Sequence, residues 1–386
     1  MKKAALLIIF IFLVLGFMGC SRSSSSAGNR AADVTTIGVI FTLSGSDEFI
    51  GTEAKDGALF AFQRINSRGG VLGKRLDFIV EDDEGDPAKA IAAFNKLTTQ
   101  NGAKFIIGSS SFETSNAIAQ LAQQNQVLLI SPLVSNVGLT KAGDYVFRVI
   151  FDNYRQGIIG ADFAFDTLEA RRAAILYNSD AEYNTSLADG FRTQFKELGG
   201  QVTADETYHS GDTDFSAQIA RIKAANPGVI YLPNLAKDAA LQAKQLRAQG
   251  ISVPLLGGDG WDGVIDIATD EVLNSFWTVS FSTTTTDPRG REFLKAFNNR
   301  FIRYPTYYAA LGNDAMYLLA EAMTAAGTFD VAAVRDALAK TNATHETGII
   351  RFDSDGNPIK GGAVAEIIRQ DDGSLYNSYK AIVSAR

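Results

Sequence analysis

A carboxylate set among glycines is the side chain in this sequence best suited to meeting a small charged molecule. It is Asp259, in the stretch LLGGDGWDG at residues 255–263. Leu255 and Leu256 read as the end of a buried strand, while Gly257, Gly258 and Gly260 free the backbone around the acid. Glycine serves where a chain bends unusually or where another group must come close. Two earlier loops carry complementary chemistry. GSSSFETSN (Gly108–Asn116) and SPLVSN (Ser131–Asn136) both follow apolar runs. They offer hydroxyls and backbone N–H groups at helix starts, which suits a small anion such as a carboxylate. Plain N-capping by Ser115 or Ser135 is the other use of such residues. Farther along, NSDAEYN (Asn178–Asn184) and LPNLAKD (Leu232–Asp238) occupy matching loops. Hydroxyls and amides on one side, with a lone carboxylate and aromatics on the other, would suit a zwitterion. Its carboxylate would meet the first set and its ammonium would meet Asp259.

Catalytic constellations are missing from the pattern. The two histidines, His209 and His345, stand in different segments without ligand spacing, and no nucleophile elbow or phosphate-cradling glycine loop follows a strand. No catalytic residue, metal ligand or cofactor is therefore assigned. EDDEGDP (Glu81–Pro87) and DSDGNP (Asp353–Pro358) are acid-rich but lack the twelve-residue spacing of a calcium loop. They read as a strand-to-helix turn capped by Asp86 and a tight turn at Asp355-Gly356.

The elements that must position these loops alternate. Strands are expected at 37–41, 76–80, 104–107, 127–130, 173–177, 202–207, 228–232 and 254–256, with helices at 52–66, 87–100, 115–124 and 237–249 between them. Such alternation means βαβ units and a parallel sheet covered on both faces. The segments beginning at Ala103 and Pro227 each run strand, polar loop, helix, strand, polar loop, so two similar halves are expected. Ligands of open parallel sheets sit beyond the carboxyl ends of the strands, and two facing halves would form a cleft.

The chain of 386 residues opens with a basic and then apolar segment, MKKAALLIIFIFLVLGFMGC, whose last residue is the only cysteine. This reads as a secretory signal at residues 1–20, and Phe17–Cys20 resembles a bacterial lipobox with Cys20 as the lipidated residue. A serine-rich tether at 21–33 follows. The net charge of −7 argues against a nucleic-acid partner.

The ordered motifs IGVIFTLSG, GALFAFQRINSRGGVLGKRLDFIVEDDEGDP, LLISPLVSN, YVFRVI, LLGGDG and YAALGNDAMYLLAEAM resemble the periplasmic leucine/isoleucine/valine-binding protein family. These are solute receptors of ABC importers with the type I periplasmic-binding fold. The resemblance implies an α/β protein of two doubly wound parallel-sheet lobes joined by a three-crossover hinge. Lobe 1 would comprise residues 34–150 and 282–358, and lobe 2 residues 151–281 and 359–386. It implies an α-carboxylate site at Ser110, Ser111 and Phe112 with Leu133 and Ser135. The ammonium would meet Asp259, with Tyr183 against the ligand and Asn234 beside it. Phe112 stands where a serine is usual, Ile50 replaces an aromatic beside Phe49, and Leu235 replaces a tyrosine. The expected protein is an exported, lipid-anchored monomer. It would capture a small, branched-chain-like amino acid or related carboxylate for an ABC permease, without catalysis or cofactor. A ligand-sensing receptor of the same fold is the alternative.

Overall fold

Two runs of alternating strands and helices fold as two open sheets in the computed structural model, which describes residues 34–45 and 47–385. Cys20 and the tether lie outside the described residues. The first run comprises β1 (Thr35–Phe41), α1 (Glu48–Ser67), β2 (Leu76–Asp82), α2 (Pro87–Asn95), β3 (Phe105–Gly108), α3 (Phe112–Asn125), β4 (Leu128–Ser131) and β5 (Val146–Arg148). Its strands pair in the order β2-β1-β3-β4-β5, all parallel. β3 and β4 are buried along their whole length, as strands covered on both faces must be.

The second run comprises α4 (Asn153–Asp162), β6 (Arg172–Asn178), α5 (Glu182–Glu197), β7 (Gln201–Tyr208), α6 (Ser216–Ala225), β8 (Val229–Tyr231), α7 (Ala236–Ala248), β9 (Leu255–Gly257), α8 (Val264–Ile267) and β10 (Ser275–Val279). Its strands lie in the order β7-β6-β8-β9-β10, again parallel. The repeated sequence pattern is thus one winding used twice.

Beyond β10 the chain forms α9 (Pro288–Phe301), α10 (Tyr307–Ala326) and α11 (Val331–Ala339). A small antiparallel sheet of β11 (Asn342–His345), β12 (Gly348–Phe352) and β13 (Pro358–Lys360) follows. This region packs on the first sheet: Leu311, Met316, Leu319, Val334 and Ile350 share a core with Ile37, Phe41, Ile107 and Ile130. The chain then crosses once more and adds β14 (Gly362–Arg369) and β15 (Leu375–Val383) beside β10. Both run antiparallel to their neighbours, a departure from a purely parallel second sheet. A tight connection suffices for an antiparallel pair, whereas a parallel one needs a helical crossover, and none fits between Arg369 and Leu375. Between the two sheets the chain passes three times, at residues 149–152, at 280–287 and at Gly361.

Local chemistry sets the element ends. Asp86 accepts the backbone N–H groups of Ala88 and Lys89 at the start of α2, with Pro87 in the first turn. That helix ends at Asn95 and continues to Gln100 as one wider turn, where the sequence pattern suggests a single helix. The acids of the two acid-rich stretches are used internally. Asp82 accepts from Leu43 and Ser44, and Asp353 accepts from the N–H groups of Asp355 and Asn357.

Candidate functional site

Asp259 follows β9 on a single turn of tight helix, Asp259–Trp261. Trp261 pins that turn: its ring is buried and its indole N–H donates to the Leu232 carbonyl at 3.0 Å. Tyr183, in the first turn of α5, donates its hydroxyl to Asp259 Oδ1 at 2.8 Å and accepts the Gly260 N–H at 2.7 Å. The three glycines make room for these side chains. A Cβ at Gly258 or Gly260 would stand 2.9 or 2.7 Å from the Tyr183 hydroxyl, and one at Gly257 would stand 2.1 Å from the Trp261 indole nitrogen. Close approach, rather than a left-handed backbone, is what glycine supplies here. The buried Gln156 of α4 also hydrogen-bonds Asp259, and its amide donates to the Thr278 carbonyl. Burial raises the Asp259 carboxyl above its ordinary pKa, opposed by the hydrogen bonds from Tyr183 and Gln156. Burial, and then the Asp259 charge, push the Tyr183 phenol well above its usual value.

Hydroxyl-bearing loops from the first sheet supply the other wall. Ser110 follows β3, and its Oγ accepts the Thr42 N–H at 3.0 Å. Behind it Ser109 donates to the buried Asp83, which also accepts from the Thr42 hydroxyl at 2.7 Å and the Gly85 N–H at 3.0 Å. The loop after β4 is held from beneath by Arg148, which is wholly buried. Its guanidinium donates to the carbonyls of Val134 and Ser135, both at 3.0 Å, to that of Ile150 at 3.3 Å, and to Asn357 Oδ1 at 3.0 Å. Burial lowers this guanidinium to a pKa of about 10, with Asp152 opposing.

These pieces enclose a cavity of about 420 Å³ lined by Ile50, Ser110, Leu133, Ser135, Ile150, Phe151, Asn153, Gln156, Tyr183, Asp259, Tyr307 and Tyr308. Ser110, Leu133, Ser135, Tyr183 and Asp259, separated by up to 149 positions in sequence, are therefore brought together. Among the described residues, no lysine, arginine or histidine lines the cavity.

Three expected residues stand elsewhere. Ser111 is the N-cap of α3, accepting from the Thr114 N–H in a reciprocal capping box. It takes the capping role that the sequence pattern offers to Ser115, whose Oγ instead accepts the Ser109 N–H. Phe112 opens α3, its ring packed against the core between the first sheet and α2 and α3. Asn234 is a correction. It is fully buried, donating to Leu176 O and Gln242 Oε1 and accepting from Asn184 and the Asn178 N–H. With its amide satisfied by four internal partners, it fastens β6, α5 and α7 together and does not reach the cavity. Leu235 beside it is exposed.

Sequence reasoning missed Gln156, Asn153, Tyr307 and Tyr308. The adjacent tyrosines at the Thr306-capped start of α10 were the available signal. Neither histidine lines the cavity: His209 is exposed beside Asp180 at 2.8 Å, and the mostly buried His345 lies 3.2 Å from Glu321.

The family described as periplasmic binding protein matches residues 34–373. Leu/Ile/Val-binding protein homolog 1 of Brucella abortus is 30% identical over 346 residues, covering 87% of this chain and 91% of that protein. Among solved structures, the branched-chain amino acid transporter substrate binding protein LivJ of Streptococcus pneumoniae, in complex with isoleucine, is 29% identical with a TM-score of 0.66. The match covers 90% of this chain and 99% of that one. An ABC transporter substrate-binding protein of Desulfitobacterium hafniense, in complex with Leu, is 25% identical with a TM-score of 0.69, covering 89% and 99%.

Proposed function

Since the chain belongs to the periplasmic leucine/isoleucine/valine-binding protein family, we propose that it captures an amino acid in the cavity between its two sheets and presents it to an ABC permease. Membership in this family makes the chain an exported solute-binding protein. The observation that carries the amino-acid reading is Asp259, held by Tyr183 and Gln156 on one wall and facing hydroxyl-bearing loops on the other. With no cation in the lining, the natural counter-charge for this acid is the ammonium of the ligand. The ligand carboxylate would lie against Ser110, Leu133 and Ser135, near the N-terminus of α3, where first-turn N–H groups have no partner inside the helix. Ser111 and Phe112 serve through the cap and the backbone of that helix. The isoleucine and leucine complexes of the relatives support a zwitterionic ligand of this kind.

Residues 34–150 with 282–358, and 151–281 with 359–386, would be the two lobes, and binding would close them about the three crossovers. Lipidation at Cys20 would tether the receptor to the membrane beside its permease. The lone cysteine closing the signal segment and the serine-rich stretch after it support this reading. Fractionation of the Cys20→Ala variant, which should leave the membrane, tests it.

Calorimetry with leucine on Asp259→Asn tests the ammonium reading. The variant keeps the shape of the side chain and loses its charge, so binding should weaken by about 2–5 kcal/mol, the cost of burying an unpaired ammonium. Unchanged or tighter binding would show that the leucine ammonium does not meet Asp259.

A further inference from the structure

The stretch GGDGWDG contains a second carboxylate, Asp262, which an α-amino acid held at Asp259 leaves unused. It is exposed and lines a separate cavity of about 270 Å³. This second cavity shares Tyr307 and Tyr308 with the first, so the tyrosine pair forms a common wall. Phe49, Trp277 and Phe281 complete an aromatic lining of five rings. Among the described residues, no lysine, arginine or histidine lines it either. Two acids therefore serve two adjoining cavities, and among the described residues neither lining offers them a cationic side chain. Their field is felt in the shared wall. Both tyrosine hydroxyls are raised above the ordinary phenol pKa, chiefly by burial, with the charges of Asp259 and Asp262 acting in the same direction. Although Asp262 is exposed as a residue, its carboxyl is partly desolvated, which with the neighbouring Asp266 raises it against the opposing Gly263 N–H.

We propose that the aromatic cavity is the side-chain subsite of the amino acid held at Asp259, and that the side chain it accepts ends in a positive charge. The inference rests on the amino-acid reading and adds the class of side chain. Aromatic faces attract a cation through their quadrupoles, and a carboxylate at the same place gives it a counter-ion. The spacing also suits one ligand. The Asp262 N–H donates to the Asp259 carbonyl at 3.0 Å, so the two residues stand one tight turn apart, about 6 Å along the backbone. A four-carbon side chain spans that step, placing an α-ammonium at the first acid and a terminal ammonium at the second. Trp261 between them is buried and bonded to Leu232, which fixes the spacing.

L-Lysine and L-norleucine differ only in the terminal ammonium, so their affinities for the purified protein, measured by calorimetry, isolate its contribution. Lysine should bind at least about tenfold more tightly, and Asp262→Asn should remove most of that ratio. Asp262 is exposed, so the variant should fold, which thermal melting checks. Phe49→Ala, at a ring that is 62% exposed, should also reduce the ratio. If norleucine binds as well as lysine or better, the cationic subsite is overturned while the amino-acid reading stands. If neither amino acid binds, the cationic subsite is overturned, and calorimetry with leucine decides the amino-acid reading separately. A lysine preference that survives Asp262→Asn would also overturn the proposal, because the second carboxylate would not be its source.

Discussion

Asp259 accepts from a phenol whose own oxygen is tied to the next backbone N–H, so the carboxylate, Tyr183 and Gly260 form one small circuit. Its raised pKa gives that circuit a pH signature. The free protein binds a proton at Asp259 at a pH where an ordinary aspartate has already ionised. In the proposed complex the ammonium would require the ionised form, so proton and ligand would compete. Affinity for an amino acid should fall on acidification, starting above the usual carboxylate range, and Asp259→Asn should flatten the profile. Calorimetric titration at stepped pH reads this, and equal affinity in acid and neutral buffer would exclude Asp259 as the partner. This residue was legible because an acid framed by glycines after an apolar strand is a local signal. Gln156, Tyr307 and Tyr308 were not, since an amide and two aromatics in helices look like core until the fold brings them beside the acid. Asn234 misled for the opposite reason: it occupies a ligand-type loop, yet its amide is consumed by the framework.

Arg148, at the end of β5, shows how an element conveys position to the site. It bonds carbonyls of the Leu133–Ser135 loop, the carbonyl of Ile150 in the first crossover, and Asn357 just before the third. One buried side chain thus joins a cavity loop to the first connection between the sheets and to the turn that leads into β13. Arg148→Lys keeps the charge but cannot match a fork of carbonyls. It should lower unfolding stability by about 1–3 kcal/mol for an acceptor left unpaired, and it should also weaken amino-acid binding. Denaturant unfolding and calorimetry on the same variant separate the two effects. Lost stability with unchanged affinity would mean that the loop is held without this arginine. At this scale the sequence was most informative: apolar runs and helix-length gaps located eight of the ten parallel strands to within a few residues, and missed only β5 and β10. It was least informative beyond β10, where β14 and β15 pair antiparallel after a short connection and carry no alternating-element signal. The second carboxylate of the 259–262 turn was visible from the start, but its aromatic neighbours come from α1, β10, the crossover after β10 and α10.

The same winding, 2-1-3-4-5, recurs in both sheets, and the cavity draws its lining from loops at the carboxyl ends of each. Three crossovers connect them, few enough to let one sheet rotate against the other and numerous enough to keep that motion a hinge. A ligand whose carboxylate lies on one wall and whose ammonium lies on the other interacts fully only when the walls approach, so it favours the closed arrangement by its differential affinity. The repeat was legible in the sequence as two similar strand–loop–helix segments, but which loops meet depended on the fold. Small-angle X-ray scattering with and without an amino acid, at a concentration shown by calorimetry to saturate the site, measures this motion directly. The radius of gyration should fall on saturation in the wild type. In Asp259→Asn it should remain at the ligand-free value at the same amino-acid concentration. An unchanged radius in a wild-type sample proven to be saturated would contradict an amino acid bridging the two walls.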